Sequence, residues 1–338
     1  MVLSNGATIS VPAVSVTGFI LLDNSCRTCT TRVLPANAAA NGHAITARGA
    51  LAAGSMAGSI GVTINAVANG SGVGFTQEAN AISASAGGIS ITANTQAGTA
   101  YSSSGNLTAT NLPININTST TTGSGISTTG SITGGVVTIS STQSTSTASA
   151  TVISTTGLIT ANRLSMSATG GAASTIVSLG AITINSGGGN IAVTAMNLAA
   201  GSGTGITQTG AITNGAAGSS LIFTSNHSIA QSGAITLVAN TGTPAANVIY
   251  DTASGNRGSN ITTGALTLTS GTGSVINHVV RSAGGSITTG AIGTSTAPLP
   301  GSVSIDNTFG CIGSGCIPSS GFISASNVSS TTATNSVA

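Results

Sequence analysis

Aliphatic and hydroxyl residues alternate along this chain in a short phrase that returns many times. The phrase opens with glycine and a small residue, and reads Gly-Gly-Ile-Ser-Ile at 87–91, Gly-Ala-Ile-Thr-Ile at 180–184 and Gly-Ala-Ile-Thr-Leu at 233–237. Because successive side chains of a β-strand point to opposite faces, each copy predicts a short strand with one aliphatic and one hydroxyl face. The predicted inward residues are Ile182, Ile184, Ile235, Leu237, Leu266 and Leu268, and the predicted outward residues are Thr183, Thr236 and Thr267.

The spacing of the phrase predicts a solenoid. Copies that start at 130, 157, 180, 210, 233 and 264 lie 27, 23, 30, 23 and 31 residues apart. A strand that returns at such intervals is typical of stacked repeats, none of which folds alone. An antiparallel sandwich would need hairpin signals between matched strands, and the Asn-Gly pairs of this chain do not lie there. We therefore predict an all-β protein, a right-handed parallel β-helix.

The chain is divided by composition into three segments. Residues 44–297 carry the repeats and form the predicted β-solenoid body. Residues 1–43 and 298–338 hold all four cysteines and several of the prolines and phenylalanines, and are predicted to be an N-terminal cap or assembly segment and a C-terminal cap and tail. Solenoids need atypical terminal repeats because their end strands expose unpaired backbone groups.

Charge is almost absent from this sequence, which excludes several functions. Only 3% of the residues are charged, and the formal net charge is +2. Six scattered arginines form no basic stripe for a phosphate backbone, and 2% aromatic residues give bases nothing to stack on, so no nucleic-acid partner is expected. No apolar run is long enough for a membrane helix, and the first residues do not resemble a secretory signal. The chain is expected to be a processed product or a part of a longer polypeptide.

Three phrases in the body resemble the repeats of filamentous-haemagglutinin-type bacterial exoproteins. They are Ile206-Thr-Gln-Thr-Gly-Ala-Ile-Thr213, Ile229-Ala-Gln-Ser-Gly-Ala-Ile-Thr236 and Ile261-Thr-Thr-Gly-Ala-Leu-Thr-Leu-Thr269. The resemblance implies a β-helix that is secreted or exposed on the cell surface, as in adhesins and fibre components. The secretion-domain signature of that family is missing from this chain. The family has no shared catalytic residues to carry over.

The cysteines form two close pairs at opposite ends of the chain. Cys26 and Cys29 lie in Cys-Arg-Thr-Cys, and Cys311 and Cys316 lie in Cys-Ile-Gly-Ser-Gly-Cys. A shared zinc site would need the two ends to meet, which the ends of one solenoid do not do. In an exported protein these residues are disulfide candidates, either within each cap or between subunits.

Candidates for catalysis are few. The only carboxylates are Asp23, Glu78, Asp251 and Asp306, whose wide spacing does not suggest a catalytic pair. The histidines His43, His227 and His278 are expected at surface or turn positions. We therefore expect no enzyme activity, no catalytic or cofactor-binding residues, no bound metal and no cofactor.

Three functions remain from the sequence. The first is a structural subunit of an extracellular bacterial fibre, which assembles with itself head-to-tail through the solenoid ends. The second is the stalk or passenger of a surface adhesin, with the cell surface or extracellular matrix as a partner. The third is a threonine-ladder binder of ice or crystalline polysaccharide, which the variable repeat spacing argues against.

Overall fold

A computed structural model describes most of the chain, and every regular element in the described residues is a β-strand. The described residues are 2–3, 9–24, 43–54, 61–68, 70–171, 175–185, 189–198, 203–215, 220–237, 246–252, 259–268, 276–282, 284–293, 303–306, 323–325 and 336–337. The chain divides into two compact units. The first comprises residues 1–161 and 167–173, and the second comprises residues 162–166 and 174–338.

The strands of the first unit contain two to seven residues each, apart from β15, which contains twelve. They are β1 (Val2–Leu3), β2 (Ile9–Val11), β3 (Val14–Val16), β4 (Ile20–Asp23), β5 (His43–Ala47), β6 (Leu51–Ala53), β7 (Val62–Val67), β8 (Val73–Gln77), β9 (Ile82–Ala84), β10 (Ile89–Asn94), β11 (Tyr101–Ser103), β12 (Leu107–Ala109), β13 (Ile114–Thr120), β14 (Ile126–Thr128), β15 (Ile132–Gln143) and β16 (Ile153–Thr155). The next strand, β17 (Ile159–Gly170), contributes residues to both units.

The second unit continues the same kind of strand. Its strands are β18 (Thr175–Leu179), β19 (Ile182–Ile184), β20 (Ile191–Asn197), β21 (Thr204–Gln208), β22 (Ile212–Asn214), β23 (Leu221–Ser225), β24 (Ser228–Gln231), β25 (Ile235–Leu237), β26 (Ala246–Asp251), β27 (Ile261–Thr263), β28 (Leu266–Leu268), β29 (Ile276–Arg281), β30 (Ile287–Thr289), β31 (Val303–Asp306), β32 (Ile323–Ala325) and β33 (Ser336–Val337).

In each unit the strands stack in three columns, and the chain visits the columns in a fixed order. In the first unit β2, β5, β8, β11, β14 and β16 form the first column through parallel pairs. The second column contains β3, β6, β9 and β12, and the third contains β1, β4, β7, β10 and β13. The long β15 pairs with both β12 and β13, so it spans the second and third columns.

The second unit repeats this arrangement. Its first column contains β18, β21, β24, β27, β30 and β32. Its second column contains β19, β22, β25 and β28, followed by a parallel bridge from Leu266 to Ile292. Its third column contains β20, β23, β26, β29, β31 and β33. The prediction of an all-β, parallel β-solenoid is confirmed.

Side chains alternate between the interior and the surface as the repeated phrase predicts. Ile182, Ile184, Ile235, Leu237 and Leu266 are buried, whereas the Leu268 side chain lies outside the described residues. Thr183, Thr236 and Thr267 lie on the opposite face and are half-buried, because each is flanked by strands of the neighbouring coils. Most copies of the phrase lie in the second column, but the copy at 87–91 enters the third column in β10.

The glycine that opens the phrase is required by the close approach of successive coils. A Cβ atom on Gly130 would overlap the carbonyl oxygen of Gly105, and one on Gly157 would overlap the carbonyl oxygen of Gly130. In the second unit Gly264 lies against Gly233 in the same way. None of these glycines has a positive φ, so the missing side chain is what the position needs.

We predict that Gly130→Ala destabilises the protein, because the new methyl group has to displace backbone in the neighbouring coil. The expected loss is about 1–3 kcal/mol in the free energy of unfolding, measured by denaturant titration. Gly18→Ala is the matched control, since a Cβ there meets no atom within 4 Å. A Gly130→Ala variant as stable as Gly18→Ala would contradict the close-approach explanation.

Candidate functional site

The predicted disulfide candidates cannot be placed. Cys26, Cys29, Cys311 and Cys316 all lie outside the described residues. Within the described part of the chain, no group of three or more His, Cys, Asp or Glu residues is arranged to hold a metal ion. The same part contains no helix that is long and apolar enough to cross a membrane.

Two of the four carboxylates, which are far apart in the sequence, lie on either side of the same arginine in the third column of the second unit. Asp251 in β26 is the register partner of Arg281 in β29, and Arg281 is the register partner of Asp306 in β31. At a strand spacing of about 4.8 Å, the two carboxylate residues lie about 10 Å apart with the arginine between them. We call these three residues the charged ladder. The spacing in the sequence does not predict this pairing, because the coils of this region differ in length.

The charged ladder is suited to holding coils together. Opposite charges directly across neighbouring strands contribute roughly 0.2–1 kcal/mol each. The other carboxylates have different surroundings. Glu78 lies 3.8 Å from Arg48 in an exposed ion pair, and Asp23 is buried and accepts a 3.5 Å hydrogen bond from the side-chain amide of Asn65.

Buried glutamines at the last position of first-column strands form hydrogen bonds to neighbouring coils. In the first unit the Gln77 Oε1 atom accepts hydrogen bonds from the Tyr101 hydroxyl at 2.8 Å and the Ser103 hydroxyl at 3.0 Å. Its Nε2 atom donates to the carbonyl oxygens of Asn80 and Asn106. The amide is therefore satisfied by its own coil and the next one, and burial raises the pKa of the Tyr101 phenol while the Ser103 hydrogen bond opposes that rise.

The second unit contains a similar arrangement. The Gln231 Nε2 atom donates to Gln208 Oε1 at 3.1 Å, and its Oε1 atom accepts from the Tyr250 hydroxyl at 3.3 Å and the Gly264 amide at 2.6 Å. The sequence offered a signal for these residues, because each glutamine ends a first-column strand at a position where the alternation predicts an inward side chain. The alternation alone does not say which groups these inward amides bond to.

Aromatic rings stack in register inside both units. Phe75 and Tyr101 are parallel at 5.3 Å between ring centres, and Phe223 and Tyr250 are nearly parallel at 5.4 Å. His278, which is the register partner of Val248, meets Tyr250 nearly at a right angle at 6.0 Å between ring centres. Such pairs add to the burial of their apolar surface and fix the register of the coils that carry them.

The expectation of surface or turn histidines is wrong for His278, which is buried within β29. Neither of its ring nitrogens makes a well-formed hydrogen bond with the described residues, and the interaction with the backbone of Val248 is a weak one. Burial lowers the pKa of His278 to about 4, and the backbone of Val248 opposes that shift only in part. His227 is also buried, in the turn before β24, and contacts Asn226 at 3.1 Å. The side chain of His43 lies outside the described residues.

Small polar side chains cover the outer face of the third column in the first unit. Four consecutive strands, β7, β10, β13 and β15, contribute two outward residues each in continuous register. These eight residues, the polar array, are Thr63, Asn65, Ser90, Thr92, Asn115, Asn117, Thr138 and Ser140. They are spaced by about 4.8 Å across strands and about 6.6 Å along each strand, and all are uncharged.

Threonines also form a regular row in the second unit. Thr183, Thr213, Thr236 and Thr267 are successive register partners on the outer face of the second column. The coils that carry this row differ in length, but the described strands keep the same register, so variable spacing does not by itself prevent a row of threonines.

A shallow groove of about 530 Å³ crosses the second column of the first unit. Its lining consists of small residues, many with hydroxyl groups: Ser15, Val16, Ala52, Ala53, Gly54, Ser83, Ala84, Ser85, Thr108 and Thr110. None of these side chains can act as a general acid or base at neutral pH, so the groove offers surface for contact and no acid–base chemistry.

Each unit also has an edge where strand pairing stops. In the first unit β2 pairs with β5 alone among the described strands, and in the second unit β32 pairs with β30 alone. The Val11 carbonyl accepts from the Arg48 amide at 2.8 Å, so the backbone of Val11 faces β5 and that of Ser10 faces the open edge. Ser10, Ser324 and Ala325 are exposed.

Comparison of the chain with family models, with curated proteins and with solved structures gave no match.

We predict that acid destabilises the protein through His278. In the unfolded chain a histidine has a pKa near 6.5, whereas the folded value is about 4, so the unfolded state binds more protons between these limits. The free energy of unfolding should fall by about 3 kcal/mol from this group as the pH drops from 7 to 4. His278→Leu should remove that part of the pH dependence in denaturant titrations. Equal pH dependence in the two proteins would contradict the assignment.

Proposed function

We propose that this β-solenoid is a structural subunit of an extracellular bacterial fibre and that it assembles head-to-tail through its edge strands. The observation that carries the proposal is the composition of those edges. The strands β1, β2, β3, β32 and β33 contain neither a charged residue nor proline. Proteins that avoid edge-to-edge association place lysine, other charges or proline in such strands.

The near-neutral surface supports the same function. A chain with 3% charged residues has little electrostatic repulsion between copies. Contact between two unlike ends of identical subunits does not close on itself and so generates a filament. The resemblance of the repeats to fibre and adhesin exoproteins supports an extracellular or cell-surface location for it.

Pro12 reduces the number of backbone hydrogen bonds that the open edge of β2 can form. In the first column of the first unit, the residue after each strand donates its amide to the last residue of the preceding strand, as Glu78 does to Ala47 and Ser104 does to Gln77. Pro12 occupies that position after β2 and has no N–H to donate. The open edge of β2 therefore depends on the backbone of Ser10.

We predict that the purified protein forms filaments visible by electron microscopy and that ~1 M NaCl does not dissolve them. Salt at this concentration screens interactions between exposed charges beyond about 3 Å, but it has little effect on backbone hydrogen bonds and apolar contacts. Ser10→Pro should reduce filament mass at least tenfold by removing the open-edge donor, while an edge strand tolerates the proline. Ser10→Ala is the matched control and should assemble normally. Single, unassembled particles of the native protein would argue for the adhesin stalk instead.

A second function is supported by the polar array. A regular, uncharged lattice of hydroxyl and amide groups suits the ordered hydroxyl groups of ice or of a crystalline polysaccharide. The exposed outward residues of β13 lie within this lattice, with Asn117 paired to Thr92 on one side and Ser140 on the other. This function does not exclude the first, because the array lies on a sheet face and assembly uses the edges.

The surface-binding function predicts inhibition of ice recrystallisation or sedimentation with crystalline cellulose or chitin. Asn117→Arg, which places a long charged side chain inside the array, should weaken the effect at least tenfold. Ser127→Arg is the matched control, since Ser127 is exposed on β14 in a different column. Absence of any effect in the native protein, or equal loss in both variants, would remove this function.

A further inference from the structure

The order of strands at the two ends of the chain determines how two copies can join, provided that the head-to-tail assembly proposed above takes place. The first complete coil consists of β2, β3 and β4, in the first, second and third columns. It is preceded by β1 alone, which pairs with β4 in the third column. The last described strands are β32 in the first column and β33 in the third.

The first-column strands at the two ends have matching sequences. Ile9-Ser-Val11 pairs with Ile45-Thr-Ala47, and Ile323-Ser-Ala325 pairs with Ile287-Thr-Thr289, in each case with isoleucine opposite isoleucine. The order isoleucine then hydroxyl residue is thus kept at both edges. A strand β32 placed on β2 would therefore continue the same rows of isoleucine and hydroxyl residues.

The third column imposes a constraint on such a joint. Within one copy β1 covers the edge of β4, and β33 covers the edge of β31. When β2 of one copy pairs with β32 of another, β4 of the first copy and β31 of the second are separated in the third column by the space of one strand. Both β1 of the first copy and β33 of the second would have to occupy that space, so only one of them can stay in place.

We infer that the joint seats β2 of one copy on β32 of the next in the register Ile9 opposite Ile323, and that it displaces either β1 or β33. Each of these two-residue strands then acts in the free protein as a cover on its own edge. The partner at the β2 edge is a second copy of this chain, and the joint forms once a terminal cover is released.

Engineered disulfides test the register. Parallel neighbours lie about 4.8 Å apart, within the usual 4.4–6.8 Å range of disulfide Cα atoms. Filaments carrying Ser10→Cys and Ser324→Cys, in a background with the four native cysteines changed to serine, should crosslink into covalent ladders on oxidation. The control pair, Ser10→Cys with Ser336→Cys, joins different columns and should give less than a tenth of that crosslinking. If the serine background fails to assemble, the same pairs are read in the native background by mass spectrometry of linked peptides.

Removal of β1 tests the displacement. A variant without residues 1–3 has no strand to release at the β4 edge, so it should form filaments several-fold faster than the full chain at equal concentration. Slower assembly would overturn the displacement, and crosslinking of the control pair in place of the Ser10–Ser324 pair would overturn the register. Both results leave filaments in place, whereas a full-length chain without filaments refutes the proposed function itself.

Discussion

Strand stacking between coils is the constraint on which the rest of this structure depends. All backbone pairing in the described strands is parallel and joins one coil to the next, so each residue has as its closest neighbours the residues at the same position in the adjacent coils. The spacing of about 4.8 Å leaves no room for a Cβ at some corners. The glycines at Gly105, Gly130 and Gly157 follow from that spacing, as do the in-register aromatic stacks.

The same constraint explains the polar groups in the interior. An inward position at the end of a first-column strand can be polar if a neighbouring coil supplies partners. The following coil does so for Gln77, and the coils on both sides do so for Gln231. Burying an amide without such partners costs roughly 1–3 kcal/mol. His278 is the contrasting case, since it is buried without a well-formed hydrogen bond in the described chain, and burial lowers its pKa.

Stacking also determines what the surface can do. Rows of threonine, serine and asparagine remain aligned over consecutive coils, and charges are brought together only where register places them, as in the charged ladder. The first-column strands at the outer edges of the described residues, β2 and β32, carry no charge. The proposed assembly and the proposed surface contact use different parts of the fold, the edges and a sheet face, and can therefore be separated by variants.

The sequence by itself determined the fold class and the inward residues, because alternation and the recurrence of the Gly-Ala-Ile-Thr phrase are local properties of the chain. Ile182, Ile235 and Leu266 could be assigned to the interior from these patterns alone. Only the tertiary structure decided which distant residues meet, because coil length varies between 23 and 31 residues from copy to copy. The pairing of Asp251 with Arg281 and Asp306, the partners of Gln231 and the burial of His278 depend on register between coils, and register is set by the packing of whole coils on one another.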